Sequence, residues 1–395
     1  MDSLGIYISV PFCRSKCTYC NFASGVFPSS YMARYVDRVC EDLRAAVRRF
    51  SGLPRVADSV YLGGGTPSLL PPDLLKTLFG AIREHFLVKG DAEITIECAP
   101  GQLAEDSLDA MVDCGVNRIS FGVQSFVDQE AKATGRLHTR AIALEDIDRV
   151  YRAGVERVNA DLIAGLPHQT AASWTESLDV LMDSGVDHAS IYMLEVDDES
   201  RLGREVLGGG ARYFAAAIPS DDAIADMYTE AVDVLAKRGL AQYEISNFAR
   251  MGAASVHNLK YWRRLPYLGL GLDAHSMLRT ENGTAIRFAT TDDLQSYLSS
   301  PGWEDARSLT RLEELEEAWF LGLRLNEGVD LQQMETEFDR ELVEPYKPLI
   351  EDLSSDGLLT PGARQIALSL RGRMLSNEVF ARFLDVIDIG EPASV

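Results

Sequence analysis

Gly5-Ile6-Tyr7-Ile8-Ser9-Val10-Pro11-Phe12-Cys13-Arg14-Ser15-Lys16-Cys17-Thr18-Tyr19-Cys20 decides the reading of this chain. A short β-rich run, Gly5–Val10, leads straight into three cysteines spaced C-x3-C-x2-C. The other three, Cys40, Cys98 and Cys114, are scattered. In a large chain such a cluster points to metal binding rather than to disulfides. Iron–sulfur clusters are held by thiolates, normally four. Three close cysteines with no adjacent fourth leave one iron open to another ligand. Zinc fits less well, because structural zinc closes with four protein ligands, often as paired C-x2-C units. The nearest histidine here is His85, far along the sequence.

Outward from the cysteines one rhythm repeats to about residue 200. β-rich runs at Gly5–Val10, Ser59–Leu62, Ala92–Glu97, Arg118–Phe121, Val155–Leu162 and His188–Leu194 alternate with helical patterns at Tyr31–Phe50, Pro72–His85, Leu108–Cys114, Ala141–Ala153 and Ser173–Ser184. The β-rich runs are mostly apolar with little alternation, as in strands covered on both faces. Strand–helix alternation predicts parallel βα units. Six of them make a partial (β/α)6 barrel, two short of closure. Gly115, Gly154 and Gly185 each precede a valine and a new strand, in the place where a helix ends on a left-handed residue.

Beyond residue 200 the pattern changes. Gly208-Gly209-Gly210 reads as a flexible loop, a helix resumes at Asp222–Lys237, and strand-like Gln242–Ile245 follows. From about Thr310 helices dominate, with a β-like excursion near Leu358–Leu370, which predicts a small C-terminal α+β domain. The expected division is 1–210 for the partial barrel, 211–300 for an extension of it, and 301–395 for the C-terminal domain.

With 395 residues, 46% of them hydrophobic, the chain can bury a large core. A formal net charge of −22 opposes non-specific nucleic-acid binding. No apolar run reaches the roughly 18 residues of a membrane helix, and no basic stretch precedes the first apolar run as in a signal peptide. These features predict a cytoplasmic protein.

Polar residues recur where the strands end. Gly63-Gly64-Gly65-Thr66-Pro67 follows the second strand and lets a ligand approach the backbone closely. Glu97 ends the third strand, Gln124 follows the fourth, Arg136 precedes the next helix, and Asp161 lies in the fifth. Hydroxyl groups of a ligand need acceptors and a carboxylate needs a cation, and this set supplies both.

C-x3-C-x2-C after the first strand of a βα array resembles the radical-SAM superfamily, in which S-adenosylmethionine (SAM) takes the open iron through its amino and carboxylate groups. By that resemblance Cys13, Cys17 and Cys20 would hold a [4Fe–4S] cluster, and Tyr19 would lie against the adenine. The resemblance narrows to the HemN/HemW branch over nearly the whole chain, including Arg371-Gly372-Arg373-Met374-Leu375-Ser376-Asn377. It implies that Tyr7, Tyr19, Gly64, Gly65, Thr66, Glu97, Gln124, Arg136 and Asp161 line the SAM site.

Two activities share this framework: oxygen-independent coproporphyrinogen III oxidase and haem chaperone. The oxidase pattern continues to a fourth cysteine, where this chain has Phe22. The oxidase also carries a long segment before its first strand. His257-Asn258-Leu259-Lys260-Tyr261-Trp262 resembles the H-N-x-x-Y-W motif of the chaperones. That stretch also speaks against a third reading, a SAM-dependent methyltransferase of the same branch. The chaperone reading implies haem as cargo, with His257, Tyr261, Trp262 and His275 as candidate contacts, since histidine is a common axial ligand and aromatic faces pack on porphyrin. Arg263 or Arg264 would meet the propionates. Asp273 departs from the glycine or alanine that the resemblance leads one to expect beside His275. Expected partners are haem, a haem-acceptor protein and a second copy of the chain, with transient contact to a membrane protein and none to nucleic acid.

Overall fold

The structure, a computed structural model, describes residues 3–386 apart from 301, 304, 305, 363 and 385. The outermost ends of the first and last expected domains, residues 1–2 and 387–395, lie outside the described residues.

Two compact units result. The first comprises residues 1–242, 246–260 and 265–307, and the second comprises 243–245, 261–264 and 308–395. A boundary near residue 210 therefore falls inside the first unit.

The first unit is a partial βα barrel. Its six parallel strands are β1 (Leu4–Val10), β2 (Val56–Gly64), β3 (Leu87–Cys98), β4 (Arg118–Gln124), β5 (Arg157–Ala164) and β6 (His188–Met193). Helices Tyr31–Arg49, Pro72–His85, Glu105–Asp113, Arg140–Arg152 and Ala171–Asp183 connect them in turn. Gly115, Gly154 and Gly185 adopt φ of 83°, 90° and 79°, the left-handed helix ends read from the sequence. Additional strands flank the six: β7 (Ala241–Gln242), β8 (Asn247–Ala249), β9 (Tyr267–Gly271), β10 (His275–Arg279) and β11 (Ala285–Ala289). Within this unit the order is β11-β10-β9-β1-β2-β3-β4-β5-β6-β8-β7. β9 joins β1 in parallel, whereas β10 and β8 run antiparallel to their neighbours β9 and β6. The strand read at Gln242–Ile245 is two short strands instead, with a turn between them.

The strands alternate more than their composition suggests. Ile6, Ile8, Val60, Leu62, Ile94, Ile96, Ile119, Phe121, Val158 and Ile191 form one buried apolar face. At the intervening positions stand Ser9, Ser59, Glu93, Thr95, Arg118, Ser120, Asn159, His188 and Ser190, also buried. The strands are covered on both faces as expected, but contrary to expectation apolar and polar residues alternate along them. The inner face of the array is polar and is largely paired by cross-strand hydrogen bonds, although Thr95 Oγ1 has no partner. Asn159 Nδ2 donates to Ser120 Oγ (2.7 Å), and His188 Nδ1 lies 2.6 Å from Asn159 Oδ1. Buried polar groups are tolerated when paired in this way.

The second unit is the expected α+β domain. Helices Arg311–Arg324, Leu331–Phe338, Lys347–Ser355 and Ser376–Leu384 pack with a small antiparallel sheet of Val329–Asp330, Gln365–Leu368 and Leu359–Pro361. Thr310 and Glu313 close a capping box on the first of these helices. Trp319 anchors the core, its ring 5.3 Å from both Tyr346 and Phe383.

Candidate functional site

The cysteine loop leaves β1 at its C-terminal end and is tied to the loops after the neighbouring strands. Gly65 N–H donates to Val10 O and Thr66 N–H to Phe12 O, both at 2.8 Å. Gly64 has φ of 99°, and a side chain at Gly65 would come within 3.0 Å of Val10 O, Phe12 O and Pro11. The two loops therefore close on each other only because glycine stands there. On the other side Thr18 N–H donates to Thr134 O (3.1 Å), and Ser15 Oγ donates to Gly135 O (3.3 Å). Arg136 Nη2 donates to the Tyr19 hydroxyl (2.8 Å). The cysteine loop, from Ser15 to Tyr19, is thus fixed by Thr134, Gly135 and Arg136.

All three thiols are free and partly exposed, whereas Cys40, Cys98 and Cys114 are free and buried. Thr66 Oγ1 lies 3.8 Å from Cys13 Sγ, and Ser24 Oγ lies 3.9 Å from Cys20 Sγ. Burial holds the Cys13 thiol above its ordinary pKa, with the Thr66 and Ser24 hydroxyls pulling the other way. Among the described residues no three His, Cys, Asp or Glu side chains converge as they would around a single metal ion. A four-iron cluster takes each thiolate on a different iron and does not ask for that convergence.

Beside the cysteine loop lies a set of buried charges. Glu97, at the end of β3, accepts from the Tyr61 hydroxyl (2.9 Å) and from Gly64 N–H (3.2 Å). Burial and then the nearby Asp161 carboxylate push Glu97 up to about 7. Asp161 on β5 accepts from Asn159 Nδ2 (2.7 Å). Its carboxyl is raised by burial, against hydrogen bonds from Asn159 and Ser190 and the charge of Arg136. Burial opposes the Arg136 charge, but Tyr19, Cys17 and Asp161 outweigh it and hold the guanidinium protonated. Tyr7 on β1 is raised by burial and by Glu97.

Two buried polar atoms in this set have no partner: Gln124 Oε1 and Arg136 Nε. Gln124 also holds a left-handed backbone, φ 71°. Both side chains border Gly122, and an unpartnered acceptor and donor there fit a bound polar ligand. Thus the sequence-expected Tyr7, Tyr19, Gly64, Gly65, Thr66, Glu97, Gln124, Arg136 and Asp161 are gathered around the strand ends. Tyr61 was missed. Its signal was its period-two place on β2, between Ser59 and Gly63.

The haem candidates are placed otherwise. The segment that carries the H-N-x-x-Y-W stretch forms a helix, Val256–Trp262. His257 is 1% exposed, its N–H donates to Glu93 Oε1 (3.0 Å), and its Nδ1 lies 2.9 Å from Ser59 Oγ. Burial and then Lys260 push it down to about 3. Ser59 engages Nδ1, and the ring as a whole is closed to solvent. Trp262 lies under Arg324, 4.2 Å from the ring centroid. Arg264 pairs through both Nη atoms with Glu337 (2.9 Å each), and Arg263 with Glu327 (3.1 Å). The arginines expected to meet propionates thus each pair with a carboxylate. His275 is exposed, with Nε2 3.9 Å from Asp273 Oδ1.

Comparison with known proteins agrees with this geometry. The Radical SAM superfamily profile matches residues 7–181, and the HemN C-terminal domain profile matches 309–375. A Lactococcus lactis protein named heme chaperone HemW is 31% identical over 96% of this chain and 96% of its own. The chain belongs to the radical-SAM superfamily, in its HemN/HemW branch. The Synechocystis heme chaperone HemW is 35% identical over 83% of this chain and 79% of its own. A mitochondrial radical S-adenosyl methionine domain-containing protein 1 of Bos taurus is 34% identical over 93% and 84%. Coproporphyrinogen III oxidase HemN from Escherichia coli superposes with a TM-score of 0.83 over 98% of this chain and 91% of its own, at 23% identity, which establishes the fold. Membership brings a [4Fe–4S] cluster and SAM as cofactors, and the free thiols, the glycine cradle and the orphaned Gln124 and Arg136 atoms fit both. No helix among the described residues is long and apolar enough to cross a membrane.

Proposed function

We propose that this radical-SAM protein is a haem chaperone of the HemW type, which binds haem as cargo and passes it to an acceptor protein. One observation carries this reading: the 31% identity over 96% of both chains to a protein named heme chaperone HemW. Phe22, 62% exposed where the oxidase pattern has its fourth cysteine, supports it against the oxidase.

Cys13, Cys17 and Cys20 hold the cluster, and Thr66 and Ser24 place hydroxyls near two of the sulfurs. A bound cluster supplies single electrons and an open iron. Arg136 supplies the cation for the SAM carboxylate and braces Tyr19. Gln124 and Asp161 offer acceptors for hydroxyl groups. Glu97 holds Gly64 N–H and Tyr61 in place. His257 serves as an anchor of its helix, Tyr261 and Trp262 are partly exposed, and His275 is exposed beside the Asp273 carboxylate. The protein acts in the cytoplasm.

The test is anaerobic reconstitution followed by separate addition of haem and of coproporphyrinogen III with SAM and reductant. Saturable haem binding without protoporphyrinogen formation is the expected outcome. Sustained turnover of coproporphyrinogen makes the protein an oxidase and overturns this reading.

A further inference from the structure

The segment after β6 holds aromatic residues where the backbone disfavours them. Tyr213 and Phe214 have φ of 56° and 60°. Left-handed backbone is unfavourable for residues that carry a side chain, and such strain concentrates at ligand sites. Phe214 is also 52% exposed, so burial of its ring does not repay the strain. Its ring meets the ring of His168 edge-on, with centroids 4.9 Å apart.

His168 is the third residue of this kind, with φ of 70°. It lies in Leu166-Pro167-His168-Gln169, four residues past the end of β5, and so on the side of the array where the cysteine loop leaves β1. Its N–H donates to Ala217 O (2.8 Å), which ties it to the strained segment. Two guanidinium groups cover Tyr213: Arg201 at 5.5 Å and Arg212 at 6.0 Å from the ring centroid. Arg201 also donates to Lys16 O, and Leu202 N–H donates to Thr18 O (2.8 Å). The histidine, the two aromatic rings, the two cations and the cysteine loop therefore form one connected patch.

Among the six histidines this is the fitting one. His138, His188 and His257 are 5%, 1% and 1% exposed. His85 ends the helix Pro72–His85 that leads into the start of β3, at the opposite end of the array. His275 is exposed but faces the Asp273 carboxylate, which repels propionates. His168 is partly exposed, and Arg201 and Arg212 lie on its aromatic neighbour Tyr213, with the Glu205 carboxylate held by the Arg212 N–H (3.1 Å).

We propose that His168, Tyr213 and Phe214, with Arg201 and Arg212, form the haem seat, with the His168 imidazole as axial ligand. An iron porphyrin asks for a nitrogen ligand, an apolar surface for the macrocycle and cations for its propionates. This patch supplies all three beside the cluster loop. The inference rests on the haem-chaperone reading and locates its cargo.

The test uses cluster-loaded protein with the cluster oxidised, titrated with ferric haem and followed by low-temperature EPR, where the oxidised cluster is silent and ferric haem is not. The variants are His168→Ala and His168→Asn; asparagine tolerates the left-handed backbone, so the second separates ligand loss from misfolding. Iron content and the SAM-induced change of the reduced-cluster spectrum report an intact barrel. Both variants are expected to weaken haem binding roughly tenfold or more and to change the haem EPR signal, with added imidazole restoring it. Arg212→Glu weakens binding without changing the ligand signature. His275→Ala leaves both unchanged. If wild type binds haem saturably and both His168 variants keep its affinity and spectrum, this seat is wrong while the chaperone reading stands. If wild type shows no saturable binding, both fall.

Discussion

The two ends of the barrel strands use the same kinds of side chain and treat them oppositely. At the N-terminal end Glu93 accepts from Ser255 Oγ (3.1 Å) and from the N–H groups of Val256 (3.1 Å) and His257 (3.0 Å). Arg118 lies 3.8 Å from the same carboxylate and donates to Ala253 O, and Lys260 pairs with Asp58 at 2.7 Å. These charges neutralise one another and secure the helix Val256–Trp262. At the C-terminal end burial raises both Glu97 and Asp161, the Asp161 carboxylate raises Glu97 further, and Gln124 Oε1 and Arg136 Nε have no partner. A polar cluster that completes itself is structure. A polar cluster left incomplete is a site waiting for a ligand.

The comparison breaks most visibly at the cysteines. Replacing Cys13, Cys17 and Cys20 together by alanine should remove all of the roughly four irons per chain, read by iron analysis and by loss of the brown absorbance. Replacing Cys40, Cys98 and Cys114 should leave the iron content unchanged, because these thiols are buried away from the loop.

Next in size is Glu93→Ala. It strands Arg118 and the end of the 256–262 helix, so a loss of about 3–5 kcal/mol in denaturant unfolding is expected. A loss below about 1 kcal/mol would mean that the lower cluster does not hold that helix.

Glu97 sharpens the contrast through pH. Its carboxyl is raised from 4.5 to about 7 in the folded chain. The folded state therefore binds the proton more tightly than the unfolded state. Its stabilising contribution is complete below 4.5 and is lost as pH rises through 7. Glu97→Gln in the ligand-free protein should flatten this dependence and gain on the order of 1–3 kcal/mol at pH 8 relative to wild type. Unfolding curves at pH 5 and 8 check it, and parallel curves for both proteins would refute it.

The smallest expected effect on stability is at Gln124. Gln124→Ala removes an unpartnered acceptor, so stability should change by less than about 1 kcal/mol. SAM affinity, read from the EPR change of the reduced cluster, should fall roughly tenfold. The opposite pattern, unstable yet still binding, would place Gln124 in the structure rather than in the site.

The sequence by itself determined the array and its cofactor chemistry. Cys13-x3-Cys17-x2-Cys20 behind a strand, and the glycine–valine steps at 115, 154 and 185, are local signals, set by spacing and backbone conformation over a few residues. Period two along each strand was equally local, yet the intervening serines and threonines are small enough to pass for apolar, so the polar inner face went unread. Only the tertiary structure decided which histidines reach solvent. His257 stands in a motif that reads as a ligand, but its ring is 1% exposed, with Nδ1 on Ser59, 198 residues away. His168 stands in no motif, but β5 sets it at the open end of the array against Phe214. Availability of a side chain depends on what the rest of the chain packs over it, and that packing is carried by residues far apart in sequence.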